Sequence, residues 1–206
     1  GEIKKLSKLI KPHIGIITNI GEAHIENFKN IKGIAKAKAE IIDKIKENGT
    51  VILNRDDNFF SYLYKKSKLR KLKVITFGKN KNSDVFPTKI IKKNNSSEIF
   101  LKIKDQKLNL EIKNINIYNV LASLAVIHEF NLNLDHIKKT FKFSEPTEGR
   151  GKTHIISRYS KRFKLIDESY NANPLSVKNA INNFDLIKKD NFKKYLILGD
   201  MLELGH

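Results

Sequence analysis

Apolar and polar positions follow two rhythms along this chain, and the change between them divides it. Residues 14–18, IGIIT, form a short β-branched run ending in a polar loop, the pattern of a strand buried in a parallel sheet. The spacing that follows predicts a helix over 31–47, closed by ENG with Gly49 as its stop. TVILN (50–54) reads as a second strand and DDNFFSYLYKKS (56–67) as a helix. Strand, helix, strand, helix is α/β architecture. From about 72 to 113 the rhythm shortens to KVITFG, DVFPTKIIKK, SEIFLKIK and QKLNLEIK, broken by Asn, Ser, Gly and Asp. Those runs predict antiparallel strands joined by hairpin turns. YNVLASLAVIHEF (118–130) returns to helical spacing, and LDHIKKTFKF (134–143) predicts a shorter helix. SEPTEGRGKT (144–153) is rich in Gly, Pro and polar residues and marks a domain boundary. Beyond it HIISRYS, FKLIDES, a helix from about Pro174 to Lys188, and KYLILGD restart an α/β pattern.

One helix breaks its own pattern. At about 100° per residue, Ile31, Ile34, Ala35, Ile41, Ile42 and Ile45 share a face of the 31–47 helix, and Lys38 falls in the middle of it. Lys32, Lys36, Glu40, Asp43 and Glu47 project away from it. A lysine on a buried stripe must snorkel, pair, lose its proton or be chemically changed, because an unpaired buried ammonium is strongly unfavourable. This helix alone leaves those options open. Fourteen positions upstream, His24 lies in the loop at the carboxyl end of the 14–18 strand, where α/β sheets gather ligand sites. A lone loop histidine is more often a surface residue. Here Glu22, His24 and Glu26 together supply carboxylate and imidazole groups that suit a divalent ion. A neutral Lys38 amine has one further option: capturing carbon dioxide as a carbamate, another anionic oxygen ligand.

Charge and composition narrow the classes. The 206 residues carry 40 Lys+Arg against 22 Asp+Glu, a net charge of +18. The lysines are spread along the whole chain and form neither an arginine-rich arm nor a basic stripe with interleaved aromatics, so no nucleic-acid partner is expected. The absence of cysteine excludes disulfides, thiolate metal sites and a cysteine nucleophile, and fits a reducing compartment. No apolar run reaches about 18 residues and the first residues lack a signal-peptide core, so a cytoplasmic protein without membrane insertion is expected.

TNIGEAHIENF, IAKAKAEI, ILNRDD, YNVLASLA, GRG, DESYNANP and LGDMLELG occur in this order and together resemble the Mur ligases. The resemblance implies an α/β fold. Residues 1–147 would be a partial central ATPase domain, with a parallel sheet, a small antiparallel portion and helices. Residues 148–206 would begin a Rossmann-like C-terminal domain. It also implies an ATP-dependent amide-bond ligase of peptidoglycan precursor synthesis, with ATP and Mg2+ as cofactors. The implied substrates are UDP-N-acetylmuramoyl-tripeptide and D-alanyl-D-alanine, and the implied state is a monomer. The alternatives are another Mur-type or folylpolyglutamate-type ligase, or a noncatalytic basic module on a ligase scaffold.

By this resemblance His24 helps bind magnesium and Lys38, carbamylated, shares that site. Thr18 and Asn19 lie near the muramyl substrate, or serve as strand-end turn residues. Asn54 and Asp57 of NRDD are site candidates, with a helix N-cap expected of at least one of Asp56 and Asp57. Asn119 matches an asparagine near the adenine, or caps its helix. Tyr118 stands where the family usually has His, and Ala122 where it has a second Asn. Arg150 fits an arginine beside the nucleotide, or is a linker residue. Asp167, Glu168, Asn171 and Asn173 face ATP from the third domain, Glu168 replacing a usual aspartate, and Pro174 suits a first helical turn. No glycine-rich phosphate loop ending in Gly-Lys-Thr or Gly-Lys-Ser occurs; GRGKT (149–153) lacks the spacing and the preceding strand. The chain is therefore expected to be a central slice of such a ligase, inactive or very weak by itself.

Overall fold

The computed structural model of the protein describes residues 2–22, 26, 28–93, 96–113, 115–187 and 193–201. Its backbone divides into two units, Gly1–Ile20 with Lys32–Glu145, and Gly21–Ile31 with Pro146–His206.

In the first unit, six strands form one sheet in sequential order: β1 (Ile14–Ile17), β2 (Thr50–Asn54), β3 (Lys73–Phe77), β4 (Val85–Lys92), β5 (Ser97–Ile103) and β6 (Gln106–Ile112). β1, β2 and β3 are parallel, Ile14 opposite Thr50 and Thr50 opposite Lys73. β3 meets β4 in parallel through the Phe77–Val85 pair, and β4, β5 and β6 are antiparallel. KVITF therefore departs from the antiparallel expectation. α3 (Phe60–Leu69) carries the chain back along the sheet between β2 and β3, and a helical crossover of that kind makes its two strands parallel. The burial of β3 agrees: Ile75, Thr76 and Phe77 are buried consecutively rather than alternately.

α1 (Glu2–Ile10) precedes β1, and α2 (Ile31–Ala39) follows it. The expected helix over 31–47 is interrupted. After Ala39 the chain tightens, Glu40 N donating to Ala37 O at 3.2 Å and Lys44 N to Ile41 O at 3.0 Å, and Ile42–Lys44 form a 3-10 turn. Ile42 and Ile45 stay buried through the change, at 0% and 1% exposure. Gly49 is required by close approach, since a Cβ there would lie 2.6 Å from the His13 carbonyl oxygen.

α4 (Ile117–Glu129) lays Val120, Leu121, Leu124 and Ala125 on the sheet, against a core containing Ile52, Ile75, Phe77, Val85, Leu101 and Leu110. Each large aliphatic side chain buried there contributes about 1.5–3 kcal/mol. α5 (Leu134–Phe143) packs Ile137 and Phe141 on the same core.

The second unit holds a hairpin, β7 (Lys152–Arg158) and β8 (Lys161–Asp167), followed by α6 (Pro174–Asp185). Tyr159 and Ser160 link the strands with φ of 50° and 60°, the two positive values of a type I′ turn. Asn173 and Ser176 form a capping box ahead of α6, with Pro174 in its first turn. α6 ends at Asp185, short of the expected Lys188, which lies outside the described residues. The expected strand KYLILGD does not form. A strand needs a ladder partner, β7 and β8 pair with each other, and Ile197 is 92% exposed. Among the described residues, no helix is long and apolar enough to cross a membrane.

Candidate functional site

In the first unit the parallel strands end side by side, and the NRDD segment after β2 stitches their loops together. Asn54 Nδ2 donates to Thr18 O at 3.0 Å, and its Oδ1 accepts from Asp56 N at 3.0 Å. Asp57 accepts from Ile20 N at 2.6 Å and from Phe59 N at 2.8 Å. Asp56 reaches the other way, accepting from Lys79 N at 2.5 Å, Asn80 N at 3.1 Å and the Tyr118 hydroxyl at 3.1 Å. The expected helix N-cap is thus corrected. The α3 cap position is Phe59, with no side-chain cap bond: Asp56 is spent on the loop after β3 and on Tyr118, and Asp57 divides its oxygens between Ile20 N and the amide of Phe59 itself. Asn54 is buried and acts as a tie between β1 and β2.

Lys38 faces this cluster. Its Nζ donates to Asn19 O at 3.0 Å, so the half-buried amine pairs with the β1 loop rather than snorkelling clear. Burial pushes its pKa below the usual lysine value, and the charge of Asp57 offsets this only in part. Thr18 and Asn19 give their carbonyls to Asn54 and Lys38, leaving their exposed side chains pointing to solvent. His24 lies outside the described residues. Glu22 and Glu26 are exposed.

At the start of α4 the cap is Asn116, whose side chain accepts from Tyr118 N at 2.9 Å. Asn119 is therefore not the cap; it sits exposed in the first turn. Ala122 is buried on the sheet side of α4, so no polar group is offered at that position. Tyr118 holds a phenol pushed up to about 12, by burial first and then by the charge of Asp56 and its hydrogen bond. The Lys79 ammonium lies 5.2 Å from the centre of the Tyr118 ring.

In the second unit the GRG turn docks on the loop after β8. Gly149 N donates to an Asp167 carboxylate oxygen at 3.1 Å, Gly151 N to Asp167 O at 2.7 Å, and Tyr170 N to Gly149 O at 3.1 Å. The Arg150 guanidinium stacks 4.3 Å from the Tyr170 ring centre. Hydrogen bonds from Ser169 chiefly hold the Asp167 carboxyl below its usual range, while burial raises that of Glu168, with the Asp167 charge adding to the rise. Asn173 spends its side-chain oxygen on Ser176 N at 2.9 Å, which leaves its NH2 group for a ligand. Asn171 is exposed. Glu148, His154 and Asp167 also come together with metal-ligating atoms within 4.8 Å of one another. Lys152 already binds Glu148, and backbone amides already bind Asp167, so they read as an ion-pair cluster.

The roles of Asp56, Lys79 and Tyr170 were not readable from the sequence. An aromatic residue beside an acidic loop was the available signal for Tyr170, and nothing local marks Asp56 as a hub. Gly149 has φ +69°, and a Cβ there would fall 2.7 Å from Tyr170 Cβ and 2.8 Å from Tyr170 N. Gly149→Ala is expected to displace the turn and the Arg150 stack, destabilising the chain by about 1–3 kcal/mol. Denaturant unfolding of the two proteins measures the difference, and equal midpoints would contradict this account of the turn.

Residues 1–127 match the family model described as the Mur ligase middle domain. Over 207 residues the chain is 32% identical to the UDP-N-acetylmuramoyl-tripeptide–D-alanyl-D-alanine ligase of Buchnera aphidicola subsp. Baizongia pistaciae, spanning 99% of this chain and 43% of that protein. Among solved structures it resembles MurF from Acinetobacter baumannii, with a TM-score of 0.85 at 28% identity over 98% of this chain and 43% of that one. It likewise resembles the MurF ligase of Thermotoga maritima in complex with ADP, with a TM-score of 0.83 at 25% identity over 100% of this chain and 46% of that one. The chain thus spans less than half the length of these relatives.

Proposed function

The chain belongs to the Mur ligase family, and from that membership we propose that it works within an ATP-dependent ligase joining D-alanyl-D-alanine to UDP-N-acetylmuramoyl-tripeptide. In that reaction a carboxylate oxygen of the tripeptide attacks the terminal phosphorus of ATP and ADP leaves. The dipeptide amine then displaces phosphate from the acyl carbon, forming the amide. The proposed enzyme is a cytoplasmic monomer without a nucleic-acid partner, its central domain ending near residue 147 and its C-terminal domain beginning at 148. Similarity to relatives of that activity along 99% of the chain supports the reading.

The observation that carries it at the level of chemistry is Lys38. A lysine amine with a lowered pKa, held at a strand-end loop, has a larger neutral fraction to react with carbon dioxide. The nitrogen lone pair attacks the carbon of carbon dioxide, one proton leaves to solvent, and a carbamate results whose single negative charge is shared by two oxygens. Such oxygens fit a hard divalent cation. The carbamate and His24 would hold Mg2+, which when bound neutralises charge on the transferring phosphoryl group. The exposed side chains of Thr18 and Asn19 suit the muramyl substrate. Arg150, pre-ordered by its stack on Tyr170, offers a planar cation to nucleotide phosphates, and Asp167, Glu168, Asn171 and the Asn173 NH2 group lie along the same loop. Asn119 is offered to the adenine.

Phosphate release in the presence of ATP, muramyl tripeptide and D-alanyl-D-alanine tests the reading. Turnover by the ligase carrying these residues should require the dipeptide, and substitution of other amines separates this ligase from Mur-type and folylpolyglutamate-type alternatives. The 206-residue chain alone, without a phosphate loop, should be slower by about 1,000-fold or more. Robust turnover by that chain would contradict its incompleteness, and indifference to the dipeptide would contradict the substrate.

A further inference from the structure

We propose that Tyr118 is a positioning residue for the nucleotide: its hydroxyl bond to Asp56 fixes the first turn of α4, and with it Asn119, against the loops that follow β2 and β3. The inference rests on the adenine-side reading of Asn119.

A cap and apolar packing also hold the start of α4, and neither of these ties it to the strand-end loops. The Asn116 cap is local, reaching two residues along the chain to Tyr118 N. Val120, Leu121 and Leu124 anchor the helix by apolar packing, which is non-directional and permits small slides and rotations. The Tyr118–Asp56 bond is directional and joins residues 62 positions apart at 3.1 Å.

Its acceptor is itself held by the loop after β3. Asp56 takes the amides of Lys79 and Asn80 at 2.5 and 3.1 Å. Gly78 lies so close that a Cβ there would sit 2.9 Å from an Asp56 carboxylate oxygen. The Lys79 ammonium, 5.2 Å from the ring centre, adds a cation–π contact between Tyr118 and the loop after β3. The phenol, with its pKa pushed up to about 12, remains a donor throughout the neutral range. Tyr118 and Asn119 are neighbours on one helical turn, about 100° apart, so a tether on the half-buried tyrosine sets the direction in which the exposed asparagine projects. The cluster stands at the carboxyl ends of parallel strands, the edge where α/β sheets take ligands.

Steady-state kinetics of the ligase carrying these residues provide the test, with Tyr118→Phe, Asn119→Ala and the double variant. Tyr118→Phe removes one hydroxyl and keeps the ring. It is expected to raise KM for ATP about fivefold, with kcat and KM for the muramyl substrate changing less than about twofold. The double variant should match Asn119→Ala alone, because the placement of Asn119 no longer matters once its side chain is gone. An unchanged KM for ATP in Asn119→Ala would overturn the adenine-side reading and the positioning inference with it. A raised KM in Asn119→Ala combined with none in Tyr118→Phe, or with additive effects in the double variant, would overturn the positioning role alone. Equal rises in KM for every substrate would reduce Tyr118 to a general structural residue and also reject the inference.

Discussion

Replacing Lys38 by alanine is expected to lower ligation by about 1,000-fold or more while the fold survives. The residue sits half-buried on the apolar face of α2, bonded to Asn19 O at 3.0 Å, and burial holds its pKa below the usual lysine value. Structure alone gains little from a partly desolvated ammonium; the reactivity of the neutral amine is what the position offers. Lys38→Arg should fail as badly as Lys38→Ala, since a guanidinium keeps its proton and forms no carbamate. Phosphate-release kinetics of the two variants decide the point, and activity within about twofold of the parent in either would reject the metal-site role.

The same lysine makes a stability prediction of definite sign. Its folded pKa lies below its unfolded value, so between the two the unfolded chain binds more protons and stability rises with pH. Below that window both states are protonated, and the desolvated charge weighs against the fold. Lys38→Met should therefore show a thermal midpoint at neutral pH no lower than the parent's, and should lose this part of the alkaline rise. Melting curves from neutral pH to about pH 10 would show both effects, and a steep drop in the variant's midpoint would identify Lys38 as a structural residue.

Phe77→Ala is expected to produce the largest loss of stability, about 3–5 kcal/mol. The side chain is 0% exposed, and its residue is where the parallel strands meet the antiparallel ones through the pair with Val85. Truncation removes its buried area and leaves a cavity among Ile75, Val85 and other core residues that cannot collapse fully. Against a total of about 5–15 kcal/mol for a domain, that is a large fraction. Phe143, 73% exposed at the end of α5, provides the contrast, since its replacement by alanine should cost under about 0.5 kcal/mol. Urea unfolding of the two variants should separate them clearly, and similar losses would mean that the core around Phe77 repacks.

Much of the fold was legible in local pattern. The strand at 50–54 showed as a continuous apolar run because both its faces are covered, the strand at 14–17 showed by the same composition although Ile16 stays exposed, and α4 showed in the spacing of Val120, Leu121, Leu124 and Ala125. The second unit was less legible. Two strands and a helix starting at Pro174 formed there, but the strands pair with each other as an antiparallel hairpin instead of continuing an α/β pattern, and KYLILGD has the composition of a strand and no ladder beside it. Composition states that a segment can be a strand, and only a neighbour with free backbone groups makes it one.

By itself the sequence determined the types of most elements, the anomalous place of Lys38 on an apolar helix face, and a family pattern that residues 1–127 bear out. These are properties of residues a few positions apart, and helical or strand periodicity expresses them directly. Tertiary structure alone decided that β3 runs parallel to β2, that Asp56 and Asp57 bridge loops instead of capping α3, and that Lys38 meets the carbonyl of Asn19. Each depends on where a distant backbone group lies. A carboxylate or an ammonium bonds to whatever donor or acceptor the packed sheet brings within about 3 Å, and that distance is written in no local stretch of chain.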